Sequence, residues 1–137
     1  MTIFDKIYIW NKDKNLLPKN KKVNLKNEIS YIIEELIEMS NGITSEKARK
    51  KAFVVTEQIL DKQYTPSTEE IIDAAGDIII YATGIISKLG YDSNIVMEEI
   101  IKEIFDRQGS VDESGKWVKD RSHKNYTANF TKAKIRG

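Results

Sequence analysis

Three glutamates stand close together in one predicted helix of this sequence. Residues 28–40 read EISYIIEELIEMS, and at about 100° per residue Glu34, Glu35 and Glu38 fall within an arc of roughly 100°. The opposite side of that helix is apolar, with Ile29, Ile32, Ile33 and Leu36. A run of glutamates commonly faces water, and that alternative stays open. Against it, no lysine or arginine lies between residues 27 and 47 to supply the i,i+4 cation that a solvated helix often has.

A second helix carries another line of carboxylates. In EIIDAAGDIIIY, residues 70–81, the side chains of Glu70, Asp73 and Asp77 follow i, i+3, i+7 spacing and lie within roughly 60° of one another. Isoleucine and alanine fill most of the remaining wheel, and a helix that is apolar on nearly all sides is typical of a buried position. We therefore expect a central, buried helix whose carboxylates lie inside the protein.

Each of these carboxylates also has a purely structural explanation. Residues 67–70 read STEE and fit a capping box, in which the Glu70 carboxylate accepts a hydrogen bond from the N–H of Ser67. Asp73 and Asp77 would be satisfied by a lysine or arginine from elsewhere in the chain. Two facing helices that each carry three carboxylates would, however, repel one another unless cations lay between them. Hard divalent ions such as Mg²⁺ prefer all-oxygen ligands, so the pattern favours a metal site.

The composition excludes several classes of function. The 137 residues include 22 Lys plus Arg and 21 Asp plus Glu, and a net charge of +1 gives no electrostatic case for binding duplex nucleic acid or an acidic membrane surface. Without cysteine there are no disulfides, thiol nucleophiles or zinc–thiolate sites, and the single histidine, His123, excludes a zinc site built on several imidazoles. The start, MTIFDKIYIW, lacks the layout of a signal peptide, and no stretch approaches a membrane span. We therefore expect a cytoplasmic protein.

The apolar periodicity predicts an all-α fold. We expect a single domain over residues 1–137, a bundle of about five helices with a small C-terminal hairpin. The predicted helices span residues 2–11, 25–40, 45–62, 67–89 and 93–107. Asn41-Gly42 predicts a left-handed helix stop, and Asp92 predicts an N-cap. The expected inner face of the third helix comprises Ala48, Ala52, Val55 and Ile59. SVDESGKWVKD, after Gly109, predicts a hairpin around Ser114-Gly115.

These motifs resemble those of a known enzyme family. EELIE, residues 34–38, is similar to the Glu-Glu-x-x-Glu motif of the all-α nucleotide pyrophosphohydrolases, the MazG-like superfamily that includes dimeric dUTPases and phosphoribosyl-ATP pyrophosphohydrolase. Glu70-Ile-Ile-Asp73 resembles the second motif of that superfamily, Glu-x-x-Asp. The longer run EIIDAAGDIIIYATGIISKLGYD resembles the corresponding helix of the phosphoribosyl-ATP pyrophosphohydrolase-like branch, and the resemblance covers residues 25–126.

The resemblance implies Mg²⁺-dependent hydrolysis of a nucleoside triphosphate, ribo or deoxy, to the monophosphate and pyrophosphate, with Mn²⁺ as an alternative metal. The implied metal ligands come from both motifs: Glu34, Glu35, Glu38, Glu70, Asp73 and Asp77. The three glutamates of the first motif are also the implied catalytic residues, and the spacing leaves open which one is the general base. In some relatives the second-motif glutamate stands three residues before the aspartate that matches Asp77. Ala74 stands there in this sequence, so Glu70 and Asp73 fit that motif better.

The implied substrate contacts lie further along the chain. Many relatives carry an asparagine and a lysine near the end of the next helix, where this sequence has Ile104 and Arg107. Arg107 can still pair with phosphate through its planar guanidinium group. Lys119 and Tyr126 resemble a terminal lysine and tyrosine of the family, and the resemblance places them near the phosphates and the ribose.

The fourth helix also predicts self-association. Its apolar residues extend to Leu89, and they cover more sides than a chain of 137 residues readily hides. Gly76 and Gly84 leave room for close helix approach. We expect at least a homodimer, and the resemblance implies either a dimer or a tetramer.

Two other classes of protein compete with an enzyme. The first is a non-catalytic helical interaction protein, in which the acidic residues form a solvated surface and buried salt bridges. The second is a bundle with a carboxylate-bridged iron or manganese site. That class is disfavoured because such sites normally use Glu-x-x-His pairs, and the only histidine is His123 in the C-terminal tail.

Overall fold

The computed structural model describes residues 1–135, and across them the chain is mostly helical. Five α-helices occur in this range: α1 Ile3–Asp13, α2 Leu25–Asn41, α3 Ser45–Ile59, α4 Thr68–Lys88 and α5 Ser93–Asp106. Strands β1 (Gly109–Val111) and β2 (Trp117–Lys119) form an antiparallel hairpin, and a short 3₁₀ helix, Thr131–Ala133, follows. The predicted helical fold with a small C-terminal hairpin is confirmed.

Capping residues define the helix ends largely as predicted. Gly42 ends α2 in the left-handed conformation (φ 62°, ψ 24°), which a residue without Cβ adopts at little cost. Asp92 caps α5, and its side chain accepts hydrogen bonds from the N–H groups of Asn94 and Ile95. The third helix ends earlier than predicted because the backbone is extended at Leu60 (φ −73°, ψ 126°).

Two compact units make up the described chain. The first comprises Pro18–Ser67 and contains α2 and α3, which pack against one another. The second combines Met1–Leu17 with the chain from Thr68 onward and contains the remaining helices and the hairpin.

The core of the first unit lies between α2 and α3. Ala48 and Ala52 are fully buried, as predicted for the inner face of α3. Ile59, also predicted there, is 60% exposed because it is the last residue of the helix. The inner face instead continues through Thr56, one turn after Ala52, and the Thr56 hydroxyl donates a hydrogen bond to the Ala52 carbonyl at 2.7 Å. This small-residue face lets α3 approach α2 closely.

In the second unit, α1 packs along α5. The indole N–H of Trp10 donates to the carbonyl oxygen of Ile104 at 3.1 Å, and Lys6 pairs with Glu98 at 2.8 Å. Trp10 also meets Trp117 of β2 edge to face, with ring centroids 5.7 Å apart. These contacts join α1 to α5 and the hairpin to α1.

The fourth helix differs most from its prediction. No residue of α4 is buried, although it packs on α5 within its unit. Its large exposed side chains are Ile72, Ile78, Ile79, Ile80, Tyr81 and Ile85, and the exposed Leu89 follows directly after the helix. The prediction of a buried central helix is therefore wrong for the single chain, because its neighbours in this unit cover only a small part of its surface. Among the described residues, no helix combines the length and the apolar character that crossing a membrane requires.

Candidate metal centre

The first acidic motif forms a tight cluster at the surface of α2. Glu34, Glu35 and Glu38 each offer one carboxylate oxygen, and these oxygens all lie within 4.8 Å of one another. Helical geometry produces this arrangement, because i, i+1 and i+4 positions share one side of the helix. Glu34 is buried, Glu38 is half-buried and Glu35 is exposed, so the cluster runs from the interior of the unit out to solvent. We call these residues the glutamate trio.

Glu38 carries the feature of the trio that is hardest to explain without a ligand. Its Oε1 atom is shielded from solvent and has no hydrogen-bond partner. A carboxylate oxygen without a partner in such a position is unfavourable, since its lost hydration is not replaced. A divalent cation held by the trio would supply the missing interaction, and the all-oxygen donor set suits Mg²⁺ or Mn²⁺. The residues present therefore fit the implied metal.

Glu34 differs from Glu38 because it has a cationic neighbour. The Nε atom of Arg49, on α3, lies 3.6 Å from Oε1 of Glu34, and the two side chains are only 17% and 11% exposed. The sequence shows no cation close to Glu34 along its own helix, and α3 supplies one from across the unit. This pair is the kind of salt bridge that the non-catalytic alternative requires.

The second acidic motif lies in the other unit and does not form a comparable cluster there. Glu70, Asp73 and Asp77 are exposed on α4, so the prediction that this line is buried in the chain is wrong. Among residues 1–135, the glutamate trio is the one group of at least three acidic or histidine side chains whose ligand atoms all lie within 4.8 Å of one another. The α4 carboxylates therefore remain predictions of the resemblance.

Two of the predicted substrate contacts share one cavity. Arg107, at the C-terminal end of α5, and Lys119, at the end of β2, both line a cavity of about 190 Å³. Gln108, Asp120, Arg121, His123 and Asn125 complete the lining. The cavity thus gathers three permanent cations and one carboxylate. Nε2 of His123 and Oδ1 of Asn125 are shielded from solvent there without a hydrogen-bond partner.

Tyr126, the third predicted contact, serves a different role. Its hydroxyl donates to Oε1 of Glu99, a buried residue of α5, and it lines a separate cavity of about 320 Å³. Lys102 donates to Oε2 of Glu99 at 2.9 Å, and the N–H of Asn129 reaches Oε1 at 3.0 Å. These donors, Tyr126 first, lower the pKa of Glu99 to about 2.

Sequence reasoning missed Glu99 and Arg49. Glu99 follows the buried Val96 by one helical turn on α5. The sequence could therefore have predicted a carboxylate on the apolar face of this helix. Arg49 follows Ala48 on an otherwise lysine-rich stretch, and nothing in that pattern singles it out.

The fold and the site together define a mostly helical protein with a three-carboxylate cluster on one helix and a cationic cavity at the end of another. No family model, curated protein or solved structure matches this chain.

Proposed function

We propose that this protein is a Mg²⁺-dependent nucleoside triphosphate pyrophosphohydrolase that releases a monophosphate and pyrophosphate. The observation that carries the proposal is the convergence of three carboxylates within 4.8 Å, one of them with a shielded oxygen that lacks a partner. The experiment that tests it is a pyrophosphate-release assay with nucleotides, in the presence and absence of Mg²⁺.

In this proposal Glu34, Glu35 and Glu38 hold the metal. When bound, Mg²⁺ neutralises charge on phosphate oxygens and makes water a better nucleophile at neutral pH. Glu38 offers a shielded oxygen, and the exposed position of Glu35 gives the trio an open side toward solvent and substrate. One carboxylate of the trio takes the proton of the attacking water.

Charge on the substrate requires cations beyond the metal. We propose that Arg107 and Lys119 bind phosphate oxygens, because both line one cavity with Arg121 and His123. The Arg107 guanidinium lies 3.6 Å from Glu103 Oε2, and its planar fork suits bidentate pairing with phosphate oxygens. For Tyr126 we propose a contact through its ring, since its hydroxyl is already engaged with Glu99. Glu70, Asp73 and Asp77 are proposed as further carboxylates for metal, in line with the resemblance.

We also propose that the chain works as a homodimer or tetramer. The support is the exposed apolar surface of α4, where Ile72 and Ile80 are 65% and 67% exposed, and Leu89, just after the helix, is 71% exposed. An exposed helix this apolar is a typical interaction surface. The Cβ positions of Gly76 and Gly84 have no heavy atom within 4 Å, so a second helix has room to approach.

A non-catalytic helical interaction protein is the second candidate. The Glu34–Arg49 pair supports it, because a carboxylate satisfied by a fixed guanidinium does not need a metal. The shielded oxygen of Glu38 favours the enzyme, since no such cation partners it. Nucleotide turnover separates the two candidates directly.

A further inference from the structure

Arg49 is held in place by groups other than Glu34. Its Nη1 donates to the hydroxyl of Ser30 at 2.8 Å, and its guanidinium carbon lies 4.7 Å from the ring centre of Tyr31 and 4.1 Å from that of Phe53. Cation–π contacts of this kind stabilise a partly buried guanidinium. Arg49 is therefore fixed by α2 and by its own helix whether or not the trio holds a metal.

Ser30, which accepts the hydrogen bond from Arg49, has little freedom itself. Ser30 is fully buried, and its hydroxyl donates to the carbonyl of Asn27 at 2.6 Å, which leaves an oxygen lone pair facing Arg49. The distance of 3.6 Å between Arg49 Nε and Glu34 Oε1 exceeds the ~2.7–2.9 Å of a charge-assisted hydrogen bond. The contact with Glu34 is thus an electrostatic one made by a cation whose position other residues determine.

A fixed cation beside the trio has opposite effects on the metal-free trio and on the metal-bound trio. The trio carries a formal charge of −3, and Arg49 reduces the local sum to −2. Without a metal, this charge relieves repulsion among the carboxylates. With a metal, the same charge repels the incoming cation, and the anchored guanidinium has no alternative position to which it can withdraw.

We propose that Arg49 is a built-in counter-cation of the trio, which stabilises the metal-free protein and weakens the binding of a divalent ion. The inference rests on the proposed function, because it assumes that the trio binds metal. Arg49 acts through Glu34 and is a positioning residue. A merely structural arginine would not alter metal affinity in the direction that this arrangement requires.

Three variants test the inference: Arg49→Gln, Arg49→Lys and Lys50→Gln. Lys50 is the exposed neighbour of Arg49 on α3 and serves as the control for loss of one positive charge. Two quantities are measured for each purified protein, the melting temperature in EDTA and the dissociation constant for Mn²⁺, from the electron paramagnetic resonance signal of the free ion.

Arg49→Gln should lower the melting temperature in EDTA and tighten Mn²⁺ binding by about tenfold, since it removes a nearby like charge. Arg49→Lys keeps the charge, so its Mn²⁺ affinity should stay within about threefold of wild type even where packing suffers. Lys50→Gln should change neither quantity appreciably. If Arg49→Gln does not fold, Arg49→Met, which also removes the charge and keeps an unbranched side chain of similar length, is measured in its place with the same expectations.

Several outcomes would overturn the inference. With wild-type protein that binds Mn²⁺, unchanged or weaker binding by folded Arg49→Gln would show that Arg49 does not oppose the metal. A loss of affinity of tenfold or more in Arg49→Lys would show that guanidinium geometry, and not charge, governs the site. Absence of Mn²⁺ binding in all four proteins would instead overturn the proposed metal site, and the counter-cation role with it.

Discussion

The hydroxyl of Tyr126 donates a hydrogen bond to the carboxylate of Glu99 and so ties the segment after the hairpin to α5. Asn129 and Lys102 donate to the same carboxylate, and together these donors lower its pKa from 4.5 to about 2. Only 11% of the Glu99 side chain is exposed, so the folded protein holds an ionised carboxylate largely away from water. The stability of this unit should therefore depend on pH and decrease in acid.

The first prediction concerns that acid dependence. Because folding lowers the pKa of Glu99, its stabilisation is complete above pH 4.5 and is lost as the pH falls from there toward about 2. Tyr126→Phe removes the strongest donor, so it should lower the melting temperature by several degrees at pH 7 and by much less near pH 2. Tyr8→Phe, at an exposed tyrosine of α1, is the control. If Tyr126→Phe lowered the melting temperature by the same amount at both pH values, stability would not depend on the ionisation of Glu99 in the way proposed.

The second prediction is that Mg²⁺ and Mn²⁺ stabilise the protein. A ligand that binds only the folded state at 100 times its dissociation constant contributes about 2.7 kcal/mol. Thermal melts should thus shift upward with millimolar Mg²⁺, and Glu38→Gln should abolish the shift. Calcium should also stabilise but support little turnover, since its looser coordination positions a nucleophile poorly. Identical melting curves with Mg²⁺ and with EDTA, nucleotide present or absent, would favour the salt-bridge alternative.

Local features of the fold were predictable because their signals are local. Gly42 and Asp92 mark helix ends by backbone and capping chemistry alone, and the predicted hairpin needs only its turn. The partner of Glu34 was not predictable, because Arg49 comes from another helix and helical periodicity does not specify which side chains meet across a unit. Likewise, the apolar character of α4 predicts that other residues cover it, but it does not identify those residues.

The third prediction addresses what covers α4. In light scattering at micromolar concentration, the wild-type protein should have a mass of at least twice the 15.8 kDa of one chain. Ile80→Lys places a charge at a 67% exposed position of α4 and should shift the mass toward that of one chain. Val54→Lys, at a 59% exposed position of α3, should leave the mass unchanged. A wild-type mass near that of one chain, in an active preparation, would refute the assembly.

The fourth prediction tests the cationic cavity. Lys119→Met should raise KM for the nucleotide by about tenfold with little change in kcat, because phosphate contacts of this type are made in the ground state and the transition state alike. Lys124→Met, at an exposed lysine outside the cavity lining, should leave both constants unchanged. An unaltered KM in Lys119→Met would remove this residue from the substrate site.

The fifth prediction concerns the trio itself. Glu35→Gln and Glu38→Gln should each reduce hydrolysis by well over tenfold while the helical circular dichroism spectrum persists, because loss of a metal ligand should cost more than ~1.4 kcal/mol. Glu46→Gln, at an exposed glutamate in the first turn of α3, is the matched control and should remain active. Retention of more than about a tenth of wild-type activity by both trio variants would contradict the metal assignment.

The most direct measurement is product analysis of purified wild-type protein incubated with a panel of ribo- and deoxynucleoside triphosphates, with Mg²⁺ or with EDTA. The proposal predicts that at least one nucleotide yields monophosphate and pyrophosphate in equal amounts, that Mg²⁺ is required, and that Glu38→Gln yields neither product. Release of inorganic phosphate with formation of a diphosphate would contradict the proposed reaction. No turnover of any nucleotide, in a preparation whose fold is intact, would contradict the proposal as a whole and favour the non-catalytic interaction protein.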